Sequence, residues 1–171
     1  MTVYLDMDGV IVDFFGGIAK KFNVDHWKSI QDREIAFATL ANTDFFYNLD
    51  IFPETYSIVK FVKKISNNDW GICSSPLRGD NYNSAYWKRQ WLNRWDIIPP
   101  LVENMIFTGN KHKYAINPLT RKPNILIDDK PENIQRWIKA GGIGIRFQAN
   151  EDDLEEYLFV ELENAIEKKS D

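Results

Sequence analysis

Along this chain, short apolar runs end abruptly in polar residues at four places. Val3-Tyr4-Leu5 gives way to Asp6-Met7-Asp8-Gly9 before the apolar residues resume at Val10-Ile11-Val12, and Trp70-Gly71-Ile72-Cys73 gives way to Ser74-Ser75-Pro76. Asn104 to Phe107 leads into Thr108-Gly109-Asn110-Lys111, and Asn124 to Ile127 into Asp128-Asp129-Lys130-Pro131. Short apolar runs bounded by turn residues, with no polar alternation, are the pattern of strands covered on both faces. A fifth such run spans Gly142 to Phe147.

Helical spacing fills the intervals. From Pro53, residues Tyr56, Ile58, Val59, Phe61, Val62 and Ile65 form an inward face that Asn67-Asn68 closes. Tyr86 or Trp87, Trp91 and Trp95 recur in a helix over about 83–95, as a core stripe does. Pro131 opens a helix carrying Ile134, Trp137 and Ile138, and a final acidic helix turns Leu154, Tyr157, Leu158, Leu162 and Ile166 inward. Phe14-Phe15-Gly16-Gly17 reads as a break after the first strand, and about 18–55 reads as mixed and helical. That segment holds more aromatics, Trp27, Phe37, Phe45, Phe46, Tyr47 and Phe52 among them, than it can bury by itself. It is read either as a helical pair docked on the sheet or as a lid over a substrate. The alternation predicts an α/β fold, a doubly wound parallel sheet in one domain over 1–171, with a small helical insertion at 15–55 after the first strand.

Composition narrows the functions. A net charge of -4 and a pI near 5.3 disfavour a broad grip on an extended nucleic acid, while leaving room for a locally positive site that takes a small anion. One cysteine excludes an internal disulfide, and two histidines exclude an imidazole-built metal site, so any metal here takes oxygen ligands. With no basic-apolar leader and no apolar run of membrane-spanning length, the expectation is a cytoplasmic protein without a membrane partner.

In a doubly wound sheet the crevice lies outside the carboxyl ends of the strands, so the four polar ends converge there. Gly9 lets the chain turn at once and aims Asp6 and Asp8 into the crevice. Two close carboxylates need a cation between them, or one keeps a proton. Ser74 and Ser75 can donate to a phosphate oxygen, and Lys111 or Lys113 can neutralise phosphoryl charge. Lys88 or Arg89 can reach the Ser74 turn from the following helix. Asp128 and Asp129, at the end of a buried strand, are costly without compensating charge. Two motif readings fail: Cys73 and Arg78 are separated by four residues where cysteine-dependent phosphatases have five, and Gly142-Ile143-Gly144 enters a strand rather than opening a helix.

The ordered set Asp6-Met7-Asp8-Gly9-Val10, Ser74, Lys111 and Asp128-Asp129 resembles the haloacid dehalogenase superfamily of phosphotransferases. Within it, VYLDMDGVIVDF (3–14) with Gly16-Gly17, ICSSP (72–76), LIDDKP (126–131) and the DFFYNL segment (44–49) are similar to the 5'(3')-deoxyribonucleotidases, the type C pyrimidine 5'-nucleotidase family.

The resemblance implies a Rossmann-like core with a helical cap over 15–55 and a Mg²⁺-dependent hydrolysis of nucleoside monophosphates such as dUMP and dTMP. Asp6 would be the nucleophile, forming an aspartyl-phosphate, and Asp8 the general acid and base. Mg²⁺ would be held by Asp6, the Asp8 carbonyl and one of Asp128 or Asp129, with Asp129 favoured and Asp128 ordering the shell. Ser74 stands where the family often has Thr, Lys111 matches the motif lysine, and Lys88 matches a second lysine on the phosphate side. Gly9, Ser75 and Lys130 complete the substrate-facing set; Lys130 stands where some members carry Arg, which replaces a fork of donors by a point charge. Phe14 matches the residue that stacks on the base, and Trp27, Phe45 and Phe46 are the candidates in the cap, which is shorter than in the animal enzymes. A homodimer is compatible with the chain. Two alternatives share most of the residues: another phosphatase of the superfamily, acting on a polynucleotide 3'-phosphate or a sugar phosphate, and a phospho-acceptor signalling or binding protein with a relic site.

Overall fold

A computed structural model describes residues 1–167; the last four residues of the expected 1–171 domain lie outside the described residues. Five strands form one parallel sheet: β1 (Val3–Leu5), β2 (Trp70–Ser74), β3 (Met105–Phe107), β4 (Ile125–Asp128) and β5 (Ile143–Arg146). Their order is β3-β2-β1-β4-β5. The chain moves outward from β1 to β3 and then returns to the other side of β1, so the direction reverses between β1 and β4. Ligand crevices of doubly wound sheets open at that reversal. Leu5 is in register with Ile127, and the Asp6 amide donates to the Ile127 carbonyl at 2.9 Å, which sets Asp6 beside Asp128.

Alternation along the strands divides the core in two. Val3, Leu5, Ile72, Ile125 and Ile127 face one layer, packed by α3 (Thr55–Ile65), α4 (Asn81–Arg94) and α6 (Val160–Glu167). Tyr4, Cys73, Ile106 and Leu126 face the other, covered by α5 (Pro131–Lys139) through Ile134 and Trp137. All four β4 residues are therefore buried, as their unbroken apolar run requires. Burial pushes the Cys73 thiol up to about 12, so it is an inert core group. No helix among the described residues is long and apolar enough to cross a membrane.

The structure departs from the sequence pattern in instructive places. β1 ends at Leu5, and the second apolar run is no strand: the amides of Val10, Ile11 and Val12 all reach the Met7 carbonyl, coiling the chain into a buried turn. Gly16-Gly17 does not break the chain but lies inside α1 (Phe14–Lys21). Asp13 caps that helix by accepting from the Gly16 amide at 2.9 Å, and a Cβ on Gly17 would collide with Leu49. Asn67 and Asn68, both with positive φ, do terminate α3. In the tryptophan stripe Trp91 is fully buried, while Tyr86 points outward. Tyr56, Ile138 and Tyr157 are exposed rather than inward; Tyr56 and Tyr157 donate their hydroxyls to the carbonyls of Trp95 and Arg146.

Candidate active site

Three of the four polar strand ends meet directly. Asp6, Asp128 and Asp129 each bring a carboxylate oxygen within 4.8 Å of the others, all buried at the β1/β4 reversal. Lys111, 2% exposed, follows β3 in a 3-10 turn (Lys111–Tyr114) and inserts its Nζ between two of them, 2.9 Å from Asp6 and 2.6 Å from Asp128. Lys113 stays at the surface.

The three carboxyls are unequal. Burial pushes Asp6 up, but Lys111, Lys88 and the Ser74 hydroxyl outweigh it and hold the group below its ordinary value. Asp128 is pushed up by burial and by Asp6, against Lys111. Its oxygens are nonetheless fully engaged: besides Lys111 they accept from the Lys130 amide at 2.9 Å and from Asn133 Nδ2 at 3.0 Å. Asp129 has no such partners. Its Oδ1 is buried without a hydrogen bond, and burial with repulsion from Asp6 and Asp128 raises its pKa to about 8. Three carboxylates against one lysine, with one buried oxygen unpartnered, is a donor set that fits a hard divalent cation.

Gly9, at φ +80°, passes directly over Asp129; a Cβ there would lie 2.8 Å from Oδ2. Its carbonyl accepts from the Ala149 amide at 2.9 Å, fixing the turn that presents Asp8.

Asp8 belongs to a second ion pair. Lys88, 1% exposed on α4, places Nζ 2.6 Å from Asp8 Oδ2, 3.0 Å from Ser74 Oγ and 3.0 Å from the Ser75 carbonyl. Lys88 therefore joins the turns after β1 and β2, whereas its neighbour Arg89 lies over the Phe107 ring instead. Ser75 Oγ donates to the Thr108 carbonyl at 3.3 Å, tying the ends of β2 and β3 together.

Above these groups opens a cleft of about 380 Å³. Asp6, Asp8 and Asp129 form its floor, and Phe14, Phe15, Trp27, Phe37 and Phe46 its wall, with Ser75, Arg78 and the exposed Lys130 at the side. The aromatic surplus of the 15–55 segment thus faces the sheet's carboxyl edge. α1, α2 (Arg33–Ala38) and a 3-10 turn (Phe45–Asn48) carry four of the rings, and Trp91 Nε1 and Arg94 Nη1 of α4 anchor the segment at the Leu49 and Tyr47 carbonyls. Phe14 stacks on Phe46 with centroids 6.2 Å apart. Phe45 packs edge-on behind both, away from the cleft wall. Asn133, Phe15, Phe37 and Arg78 had no place in the expected site. Asn133 was findable, because a residue in the first turn of a helix that follows Asp-Asp-Lys-Pro faces back toward the strand end.

No protein-family model matches the chain. It is 28% identical over 153 residues to the mitochondrial 5'(3')-deoxyribonucleotidase of Mus musculus, covering 77% of this chain. It is 27% identical over 153 residues to the mitochondrial 5'(3')-deoxyribonucleotidase of Homo sapiens, again covering 77%. The chain spans just under two thirds of these relatives, 66% and 63% of their lengths. Among solved structures, a hydrolase from Pseudomonas syringae shares the fold with a TM-score of 0.54 at 14% identity, covering 96% of this chain and 89% of that one. With the acidic, hydroxyl and lysine positions in their strand-end order, these similarities place the chain in the haloacid dehalogenase superfamily.

Proposed function

We propose that the protein is a Mg²⁺-dependent phosphomonoesterase acting on nucleoside monophosphates, with dUMP and dTMP the first substrates to test. The observation that carries this reading is the buried acidic trio with its unpartnered Asp129 oxygen, at the floor of an aromatic-walled cleft of about 380 Å³. The mouse and human relatives named as nucleotidases support it.

In this reading Asp6, whose carboxylate stays charged because Lys111 faces it, attacks phosphorus and becomes an aspartyl-phosphate. Asp8, steadied by Lys88, gives a proton to the departing nucleoside oxygen and takes one from the water that cleaves the intermediate. Ser74 and Ser75 border the phosphoryl group, and residues 15–55 act as a cap whose rings exclude water from the reaction. Asp6, Asp129 and the Asp8 carbonyl would hold the Mg²⁺, with Asp128 ordering Asp6 through Lys111. The ion, when bound, supplies charge neutralisation at the phosphoryl oxygens.

The test is phosphate release from ribo- and deoxyribonucleoside 5'- and 3'-monophosphates, with Mg²⁺ and with a chelator. Turnover that requires Mg²⁺ is the expected result, and no release from any of them would contradict the reading.

Asp129 gives the ion a pH signature. Its folded pKa of about 8 lies above the unfolded carboxyl value, so the native state holds a proton that the unfolded chain has already lost, and stability falls as pH rises from about 4 to 8. Mg²⁺ competes with that proton and removes the repulsion. The gain in melting temperature on adding Mg²⁺ is therefore expected to be larger at pH 8 than at pH 6, and Asp129→Asn is expected to abolish most of it. A Mg²⁺ effect independent of both pH and Asp129 would place the ion elsewhere.

A further inference from the structure

The cleft wall has a chemical peculiarity that bears on what the site selects. Five rings form it, yet above the carboxylate floor no Asn, Gln, Thr, His or Tyr side chain lines it. Ser75 is the one neutral hydroxyl there, and it is spent on the Thr108 carbonyl. The main chain of the wall is engaged too: the carbonyls of Trp27 and Phe37 accept from the amides of Ile30 at 3.2 Å and Leu40 at 3.0 Å. What remains beside the rings is the Trp27 indole N–H and the charged ends of Arg78 and Lys130, donors without a matching acceptor.

Discrimination between bases needs donors and acceptors fixed against the base edge. A site built that way rejects the wrong partner by roughly 10⁴-fold or more, whereas an apolar slot sorts flat rings of similar size by only about 10²-fold at most. Stacking accepts every base, since each offers a π-face, and contributes about 10- to 100-fold in affinity.

The wall also comes close to the chemistry. Lys88 Nζ, which holds Asp8, lies 4.8 Å from the Phe46 ring centroid. A ring joined directly to the phosphate therefore reaches Phe46, and one joined through a sugar reaches the Phe15–Trp27 stack, whose rings are 5.0 Å apart and 26° from parallel.

We propose that the cleft selects its substrate by the flat face of a ring and does not read the ring's edge. This rests on the phosphomonoesterase reading. The substrate class is then phosphomonoesters carrying a planar ring: purine and pyrimidine nucleotides alike, and simple aryl phosphates.

The experiment compares kcat/KM, with Mg²⁺ present, for dUMP, dTMP, dCMP, dAMP, dGMP, phenyl phosphate and deoxyribose 5-phosphate, in the intact protein and in Trp27→Ala. Expected are values for the five nucleotides within about tenfold of one another, phenyl phosphate within the same range, and deoxyribose 5-phosphate lower by about 10- to 100-fold. Trp27 is only partly buried, so its replacement spares the core, and Trp27→Leu serves as the variant that keeps an apolar filler. Trp27→Ala is expected to raise KM for the nucleotides about tenfold and to narrow their lead over deoxyribose 5-phosphate. A preference above a hundredfold for one base, with the others no better than deoxyribose 5-phosphate, overturns edge-blind selection while the phosphatase reading stands. Equal rates for ring-bearing and ringless substrates also overturn it, and no turnover of any compound overturns both.

Discussion

Replacing Asp6 by Asn is expected to lower turnover of every phosphomonoester by roughly 10³-fold or more, as removal of a covalent nucleophile does. The amide keeps the shape but cannot form the acyl phosphate. Folding is expected to survive, because Lys111 retains Asp128 at 2.6 Å and one of three mutually repelling carboxylates has lost its charge. The opposing term is the stability that Asp6 contributes through its lowered pKa, present above the unfolded carboxyl value and lost as pH falls through the folded one. The variant is therefore expected to melt within a few degrees of the parent at pH 7. Near-normal kcat in a folded Asp6→Asn protein would remove the nucleophile from the account.

The largest effect on stability is expected from Lys111→Met. Lys111 is the cation that compensates both Asp6 and Asp128, and facing them it is held above its ordinary pKa despite its burial. Its stabilisation is thus complete below the unfolded lysine pKa and is lost only as pH rises through the folded one. Removing one partner of a buried ion pair costs about 3–5 kcal/mol, since the remaining charges stay buried and unpaired. For a chain of this size that corresponds to a fall in melting temperature on the order of 10 °C. Without the lysine, Asp6 and Asp128 titrate upward, so the deficit is expected to shrink as the pH is lowered toward 5. Thermal melts of parent and variant at pH 5 and pH 8 check both statements, and an unchanged melting temperature at pH 8 would show that the pair carries no stability.

The sheet and its reactive edge were legible because each apolar run was unbroken and its polar end abrupt. Asp128 and Asp129 illustrate the limit of that reading. Adjacent in sequence, they differ in role because Asn133 and the Lys130 amide satisfy one and leave the other bare, and those partners depend on how α5 starts. Val10 to Val12 misled for the opposite reason: a buried turn and a buried strand have the same hydrophobicity, and only the three amides converging on the Met7 carbonyl distinguish them. Gly16 and Gly17 read as a break because their causes, the Asp13 cap and the close approach of Leu49, are tertiary. In the cap, Phe45 and Phe46 are neighbours in a single 3-10 turn, so no periodicity could tell which ring reaches the cleft and which backs it. Arg78 was weighed only as a partner for Cys73, and its place on the cleft wall follows from the turn after β2.

The central claim, that the carboxylate at the end of β1 carries the phosphoryl group, has a direct measurement. Enzyme mixed with Mg²⁺ and excess dUMP is quenched in acid within the first turnovers, digested, and its peptides weighed. The account predicts that the peptide containing Asp6 gains the mass of one phosphoryl group, that fragmentation assigns it to Asp6, and that the adduct disappears once substrate is exhausted. Phosphorylation on another residue, or rapid phosphate release with the Asp6 peptide never modified, would contradict it.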